Sequence, residues 1–430
     1  MEHTMRPVRE HPMRRASRPP GLTAMFAALA MVLGCDGARA AGSPATVVRD
    51  SAGIEIVESG APSSTRGDDS APLRVDSVPT LSIGVEAGEE VYQLHRVFDA
   101  RRLPDGRIAV GNSGSSEIRV FDADGKYQMS VGRAGEGPGE FGPFASIYFY
   151  AAGDSLIVPD DGFRVHVYGP GVEYLETRRF TLMPEVGRPF LQGVFTDGSW
   201  LVQAYENGGT LRGAPGTVIR ARFSLLRYGA DGRFIDSLAT LDARERYVNE
   251  VDGVTHYPYI PLSADPLHVV VGDELATLVS DKPELTFLDQ SGKVVRLVRW
   301  PRERVPSDDV WPAFRDSSIA SFANDDELVR RMFSAFFLKE LPLPEFAPLY
   351  RSMVVDAERR VWLERFQMPG VDALRAWDVI DTNGAWLGVV HVPRNLRVFQ
   401  VGADFLLGRS LDSLGVERVQ IHALRVLESP

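Results

Sequence analysis

The chain has 430 residues, 44% of them hydrophobic and 24% charged, the balance of a globular protein with a substantial core. Its net charge of -11, with no basic stripe beyond the N-terminal region, argues against a nucleic-acid-binding protein. A single cysteine excludes an intramolecular disulfide, so stability must come from burial.

The first element reads as a targeting signal. Arg6, Arg9, Arg14, Arg15 and Arg18 precede the apolar run Leu22–Leu33. As a helix that run spans about 18 Å, too short to cross a bilayer but right for the core of a signal peptide. Val32-Leu33-Gly34-Cys35 follows and resembles the lipobox of bacterial lipoproteins, in which the cysteine becomes the lipidated N-terminus. Residues 1–34 are thus expected to be a lipoprotein signal peptide and Cys35 the lipid attachment site. The expected location is the bacterial cell envelope, lipid-anchored, periplasmic or surface-facing. The alternative is an ordinary secretory signal cut after Ala38-Arg39-Ala40. Arg14-Arg15 lacks the rest of a twin-arginine motif, so Sec export is expected.

Residues 35–74 read as a lipidated tether containing one hairpin, with two β-branched runs around Asp50-Ser-Ala-Gly53, and then a polar spacer from Ala61 to Ala71. Such a tether would stand a globular body off the membrane.

From residue 75 onward one pattern recurs. Phe121-Asp-Ala-Asp-Gly125, Tyr228-Gly-Ala-Asp-Gly232, Leu288-Asp-Gln-Ser-Gly292 and Ile380-Asp-Thr-Asn-Gly384 each sit between alternating apolar runs. Short polar side chains accept local hydrogen bonds there, and the closing glycine takes positive φ, so each phrase predicts a hairpin turn. Six segments share this grammar: Val97–Val131, Ile147–Phe180, Val194–Leu241, Leu267–Trp300, Met353–Val392 and Val398–Leu427. Their spacing predicts an all-β fold over residues 75–430, a six-bladed β-propeller of four-stranded antiparallel blades. The last segment shows only three strands. Pro79–Ile83, left over before the first, is expected to complete its sheet and close the ring. One stretch, about 306–341, breaks the pattern. Asn324–Glu340 has an N-cap, acids in its first turn and Leu328, Met332 and Phe336 on one face, which predicts a helical insertion between blades four and five.

Between the first two segments stands Gly132-Arg-Ala-Gly-Glu-Gly-Pro-Gly-Glu-Phe-Gly-Pro143. With the turn phrases, this resembles the NHL-type six-bladed β-propellers. More narrowly, with the lipobox and the Arg49-Asp-Ser-Ala-Gly53 hairpin, the chain resembles the bacterial six-bladed-propeller lipoproteins. The resemblance implies a fold and an address and carries no catalytic residues. The glycine-rich loop lacks the helix and the Lys-Ser/Thr pair of a phosphate cradle, and reads as an inter-blade turn.

Propeller ligands meet the mouth of the central channel, at the starts of inner strands and the loops after second strands. Aligning the segments puts His95, Gln192, His268, Arg351 and Gln400 at the former, and Asn112, Asp160, Asp161, Asp281 and Arg365 at the latter. Together they could take a polar or anionic ligand, or a hard cation. His166, in an alternating run, reads as blade surface, and Asp122–Gly125 as a turn lacking the further ligands of a calcium loop. No nucleophile elbow, zinc helix or free thiol is present once Cys35 is lipidated. No catalytic residue, metal or cofactor is therefore expected. The reading is a membrane-anchored, non-enzymatic binding or scaffold module for a protein, peptide or glycan. The alternative is a metal-dependent propeller hydrolase, lactonase or lyase acting at the channel.

Overall fold

Second strands such as Ile108–Asn112 and Val361–Arg365 are buried almost throughout, although their sequences alternate only loosely. The cause is stacking: a sheet with neighbours against both faces needs apolar side chains on both. The computed structural model describes residues 46–60, 71–142, 145–160, 163–183, 186–251, 253–321, 336–337, 341–368 and 374–427. They form a six-bladed β-propeller.

From inner to outer strand, the first blade is Val97–Arg102, Ile108–Asn112, Glu117–Phe121 and Tyr127–Val131. The second is Tyr150–Ala152, Ser155–Pro159, Arg164–Tyr168 and Tyr174–Arg179. The third is Val186–Val194, Trp200–Glu206, Arg222–Tyr228 and Phe234–Asp242. The fourth begins Pro266–Val271, Glu274–Val279, Glu284–Leu288 and Val294–Arg299, and the fifth is Tyr350–Val355, Val361–Arg365, Arg375–Ile380 and Trp386–Val392. Leu396–Val401, Phe405–Leu411 and Glu417–Val426 supply three strands of the sixth. Six apolar clusters fill the spaces between neighbouring blades, with Trp200, Trp362 and Tyr228 among the largest fully buried side chains.

The ring closes as the spacing predicts. Leu81–Ile83 pairs antiparallel with Val419–Ile421. A piece not anticipated, Leu73–Val75, pairs with Leu424–Val426 of the same strand, so the chain is already in the sheet where the tether was expected to end.

The repeated phrase forms its turn each time. Gly125, Gly292 and Gly384 adopt φ of 79°, 79° and 83°. Asp122, Asp289 and Asp381 each use Oδ1 to accept two backbone N–H groups at 2.7–3.0 Å. A further copy, Asp412-Ser-Leu-Gly415, escaped the sequence reading because its two middle residues differ.

Two expectations change. The hairpin assigned to the tether belongs to the fourth blade: Glu55–Glu58 runs parallel to Arg296–Arg299, making that sheet six-stranded. Val57 is fully buried beside Val298 and Trp386, and the Trp386 N–H donates to Ser59 Oγ at 2.7 Å. Burying one valine and continuing the hydrogen-bond ladder favours docking over a free hairpin, which is marginal in water. Residues 61–70 of the spacer lie outside the described residues; its last residue, Ala71, is buried and its N–H donates to the Val389 carbonyl at 3.0 Å. In the insertion, the described helix, α1, spans Ser307–Ser321, upstream of the one expected at 324–340. Asp308 and Asp309 fill its first turn, and Pro312, a residue type that normally interrupts helices, lies within it. Of the expected helix only Phe336 and Phe337 are described, and both rings pack inward, against Tyr247 and Trp311 respectively.

Candidate functional site at the channel mouth

Inner strands begin, and second strands end, on one face of the ring. Between blades four and six this face holds a cavity of about 620 Å³. Its walls carry Arg244, Arg351, Arg365, Arg375 and Arg394 against only Asp265 and Glu364, a cationic mouth in an acidic protein.

Most of these guanidinium groups are held in place. Arg365 forks onto Asp378, with Nε 3.1 Å from Oδ2 and Nη2 2.7 Å from Oδ1. Asp378 is fully buried and also accepts the Tyr350 hydroxyl at 2.9 Å and Trp386 Nε1 at 3.1 Å, while Trp300 Nε1 donates to the Tyr350 oxygen at 2.8 Å. Burial, with Asp378 beside it, pushes the Tyr350 hydroxyl above its ordinary range, so it stays protonated and donating. This network links blades four and five and fixes the Arg365 fork. Arg375 pairs with Glu364 at 2.6 Å and donates from Nε to the Arg394 carbonyl at 2.6 Å. Ser352 Oγ donates to the other Glu364 oxygen at 2.6 Å. Arg244 reaches Ser263 Oγ at 3.0 Å and stands 3.8 Å from Asp265, whose carboxyl is raised by burial against the pull of Arg244.

Arg351 differs from these. It is exposed at the start of the fifth inner strand and has no hydrogen bond or ion pair to any described residue. Phe314 of α1 and Phe366, just past the end of the fifth blade's second strand, also line the cavity; their rings lie 6.2 Å apart, 30° from parallel, and give it an aromatic wall. A free guanidinium among oriented ones, beside an apolar face, suits a ligand with an anionic group on a larger body.

Of the residues expected at the mouth, the structure brings Arg351 and Arg365 together. Asp160 and Gln192 border a separate cavity of about 500 Å³ between blades two and three. There Asp160 is fully buried, ion-paired with Arg164 and bonded by the Gly142 N–H at 3.1 Å. Burial would raise its carboxyl, but His166, the Gly142 N–H and Arg164 outweigh it and hold it at about 2. Arg164 in turn donates to the carbonyls of Glu136, at 2.5 Å, and Glu140, at 3.2 Å, so the pair staples the glycine-rich loop. Asn112 is likewise structural, accepting the His95 N–H at 2.7 Å and donating to Ser115 Oγ at 2.5 Å, while the His95 ring stays exposed.

His268 does not face the mouth. It packs against Phe223, 5.9 Å away, and burial lowers its pKa to about 4, leaving a neutral ring. Gln400 lies toward the opposite end of the channel, where it bonds the Arg102 backbone of the first blade. Asp281 is paired with Arg304 at 2.7 Å. Contrary to its reading as surface, His166 is fully buried, with Nδ1 2.8 Å from Thr177 Oγ1 and its ring edge-on to Phe141. Cys35 and Asp161 lie outside the described residues. Among the described residues no three His, Cys, Asp or Glu side chains gather so that they could hold a metal. Arg244, Arg375 and Arg394 were missed because they belong to inter-blade links and third strands, which no alignment of inner strands samples.

A family model described as a 6-bladed beta-propeller matches residues 94–193, from the first blade into the third. No curated protein matches the sequence. Among solved structures, a Bacteroides fragilis protein is similar at 13% identity and a TM-score of 0.44, covering 87% of this chain and 100% of its own. A Bacteroides vulgatus protein is similar at 11% identity and a TM-score of 0.45, covering 82% and 99%. A catalytically inactive virginiamycin B lyase from Staphylococcus aureus is similar at 8% identity and a TM-score of 0.36, covering 83% and 96%. Likenesses this distant carry no functional argument, and the architecture rests on the chain's own sheet topology.

Proposed function

We propose that this propeller is an exported, lipid-anchored binding module that takes an anionic group of a protein, peptide or glycan at its arginine-lined channel mouth, without catalysis. The observation that carries the binding reading is Arg351, a guanidinium with no partner among the described residues, in a cavity whose other arginines are oriented by neighbouring side chains and backbone. Export and anchoring rest on the n-region, the apolar run and the lipobox-like Val32-Leu33-Gly34-Cys35. The glycine-rich inter-blade link of NHL type serves the scaffold, through the Arg164–Asp160 staple.

The test uses the mature chain with Cys35→Ala, expected to leave the membrane fraction for the soluble one. On an array of carboxylated and phosphorylated glycans and peptides, binding should weaken steeply with salt and fall roughly tenfold or more in Arg351→Ala, the scale of one charge-assisted contact. Equal binding by Arg351→Glu would overturn the site, and unchanged membrane association of Cys35→Ala would overturn the anchor.

A further inference from the structure

The other end of the channel contains a second arginine whose position calls for a ligand. Arg101 lies on the first inner strand, two residues after Asp99 and on the same side of it, and lines a cavity of about 490 Å³ bounded by the turns after the inner strands. Its guanidinium has no hydrogen bond or ion pair to any described residue. The side chain is half-buried; burial lowers its pKa and the Asp99 charge opposes that. An arginine keeps its proton in proteins, so an unpaired positive charge faces this cavity and no carboxylate touches it.

Neighbouring groups do not neutralise it. Asp99 is turned to the backbone, accepting the Phe149 N–H at 2.8 Å and the Ala100 N–H at 2.9 Å. Burial raises its carboxyl to about 7 despite those donors, so it is only partly ionised at neutral pH. Arg102, next in the strand, adds positive charge and lies over the Phe405 ring, 4.8 Å from its centroid. Asp154 and Asp404 are exposed on the rim, where solvent screens them. The wall also includes the small residues Gly106, Ala151 and Gly153.

We infer that Arg101 forms a small-anion site at the end of the channel opposite the Arg351 mouth, taking a compact oxyanion such as phosphate or a carboxylate. The site is independent of the ligand proposed for the other mouth. An inorganic anion and the acidic end of a larger ligand share the chemistry that Arg101 recognises, a planar pair of oxygens meeting a guanidinium fork.

The test is thermal unfolding of the soluble Cys35→Ala chain at constant ionic strength, titrated with inorganic phosphate and separately with acetate. Wild-type residues at 101 and 351 should give a Tm that rises and saturates with the anion, as binding to the native state alone requires. Arg101→Gln should abolish the rise, and Arg101→Lys should keep a charge but lose roughly tenfold in affinity with the fork. Arg351→Gln should leave it intact, which separates failure of this site from failure of the other. Saturation by phosphate identifies an oxyanion site, and saturation by acetate alone identifies a carboxylate site. If Arg101→Gln does not fold, chloride-35 NMR line broadening on the Arg351→Gln chain reports the same site through its competition with phosphate. No saturable response to any of these anions, or an equal response from Arg101→Gln, overturns the inference.

Discussion

Asp160 shows how one residue can be located correctly and still have a different role. Its place after a second strand was readable, yet its carboxylate is engaged by Arg164, His166 and the Gly142 N–H. That engagement has a pH signature. Its native pKa, about 2, lies below the ordinary 3.8, so its stabilisation is complete above the unfolded value and disappears as pH falls from about 4 to about 2. The difference corresponds to about 2 kcal/mol. Asp160→Asn should therefore flatten the acid limb of a plot of Tm against pH. It should also lower stability at neutral pH by roughly 3 kcal/mol, because Arg164 would be left buried without its counter-ion. An acid limb identical to that of the unmutated chain would show that the pair contributes nothing.

Among elements, the repeated turn does more than reverse the chain. The turn glycines Gly125, Gly232, Gly292 and Gly384 also seat against the preceding blade. A Cβ on Gly292 would lie 2.5 Å from the Leu238 carbonyl oxygen and 2.9 Å from its Cα. Positive φ and close approach thus demand glycine for two separate reasons. Gly292→Ala should cost at least about 1–2 kcal/mol from φ alone, with the backbone clash in addition, measured as a shifted denaturant midpoint at unchanged m. A loss under half a kcal/mol would mean the neighbouring blade yields easily. The docked hairpin carries a different lesson. Its two strands were legible from β-branched runs, but nothing in Val47–Val57 names its partner. The pairing depends on an unoccupied outer edge more than two hundred residues later, at Arg296–Arg299.

At the scale of the whole molecule, closure substitutes for a covalent staple. The first and last parts of the chain meet in one sheet through Leu81–Ile83, Leu73–Val75 and Glu417–Val426. Ser82 faces Gln420 in this register. Ser82→Pro removes a backbone donor and conflicts with a paired strand. It should lower Tm and allow proteolysis near residue 82 under native conditions. A resistant protein with unchanged Tm would show that Leu73–Val75 alone closes the ring.

The sequence by itself determined the blade count, the hairpin turns and the way the ring closes, because these follow from local periodicity, turn chemistry and one missing strand. It also held Arg351 and Arg365, whose alignment at strand ends needs only that periodicity. Tertiary structure alone decided which polar residues are free. His268 is sealed against Phe223, Asn112 fastens a loop, and Arg244, Arg375 and Arg394 arrive from inter-blade links and a third strand. Whether a side chain meets a partner, a neighbouring blade or open space depends on residues distant in the chain, and no local pattern records that distance.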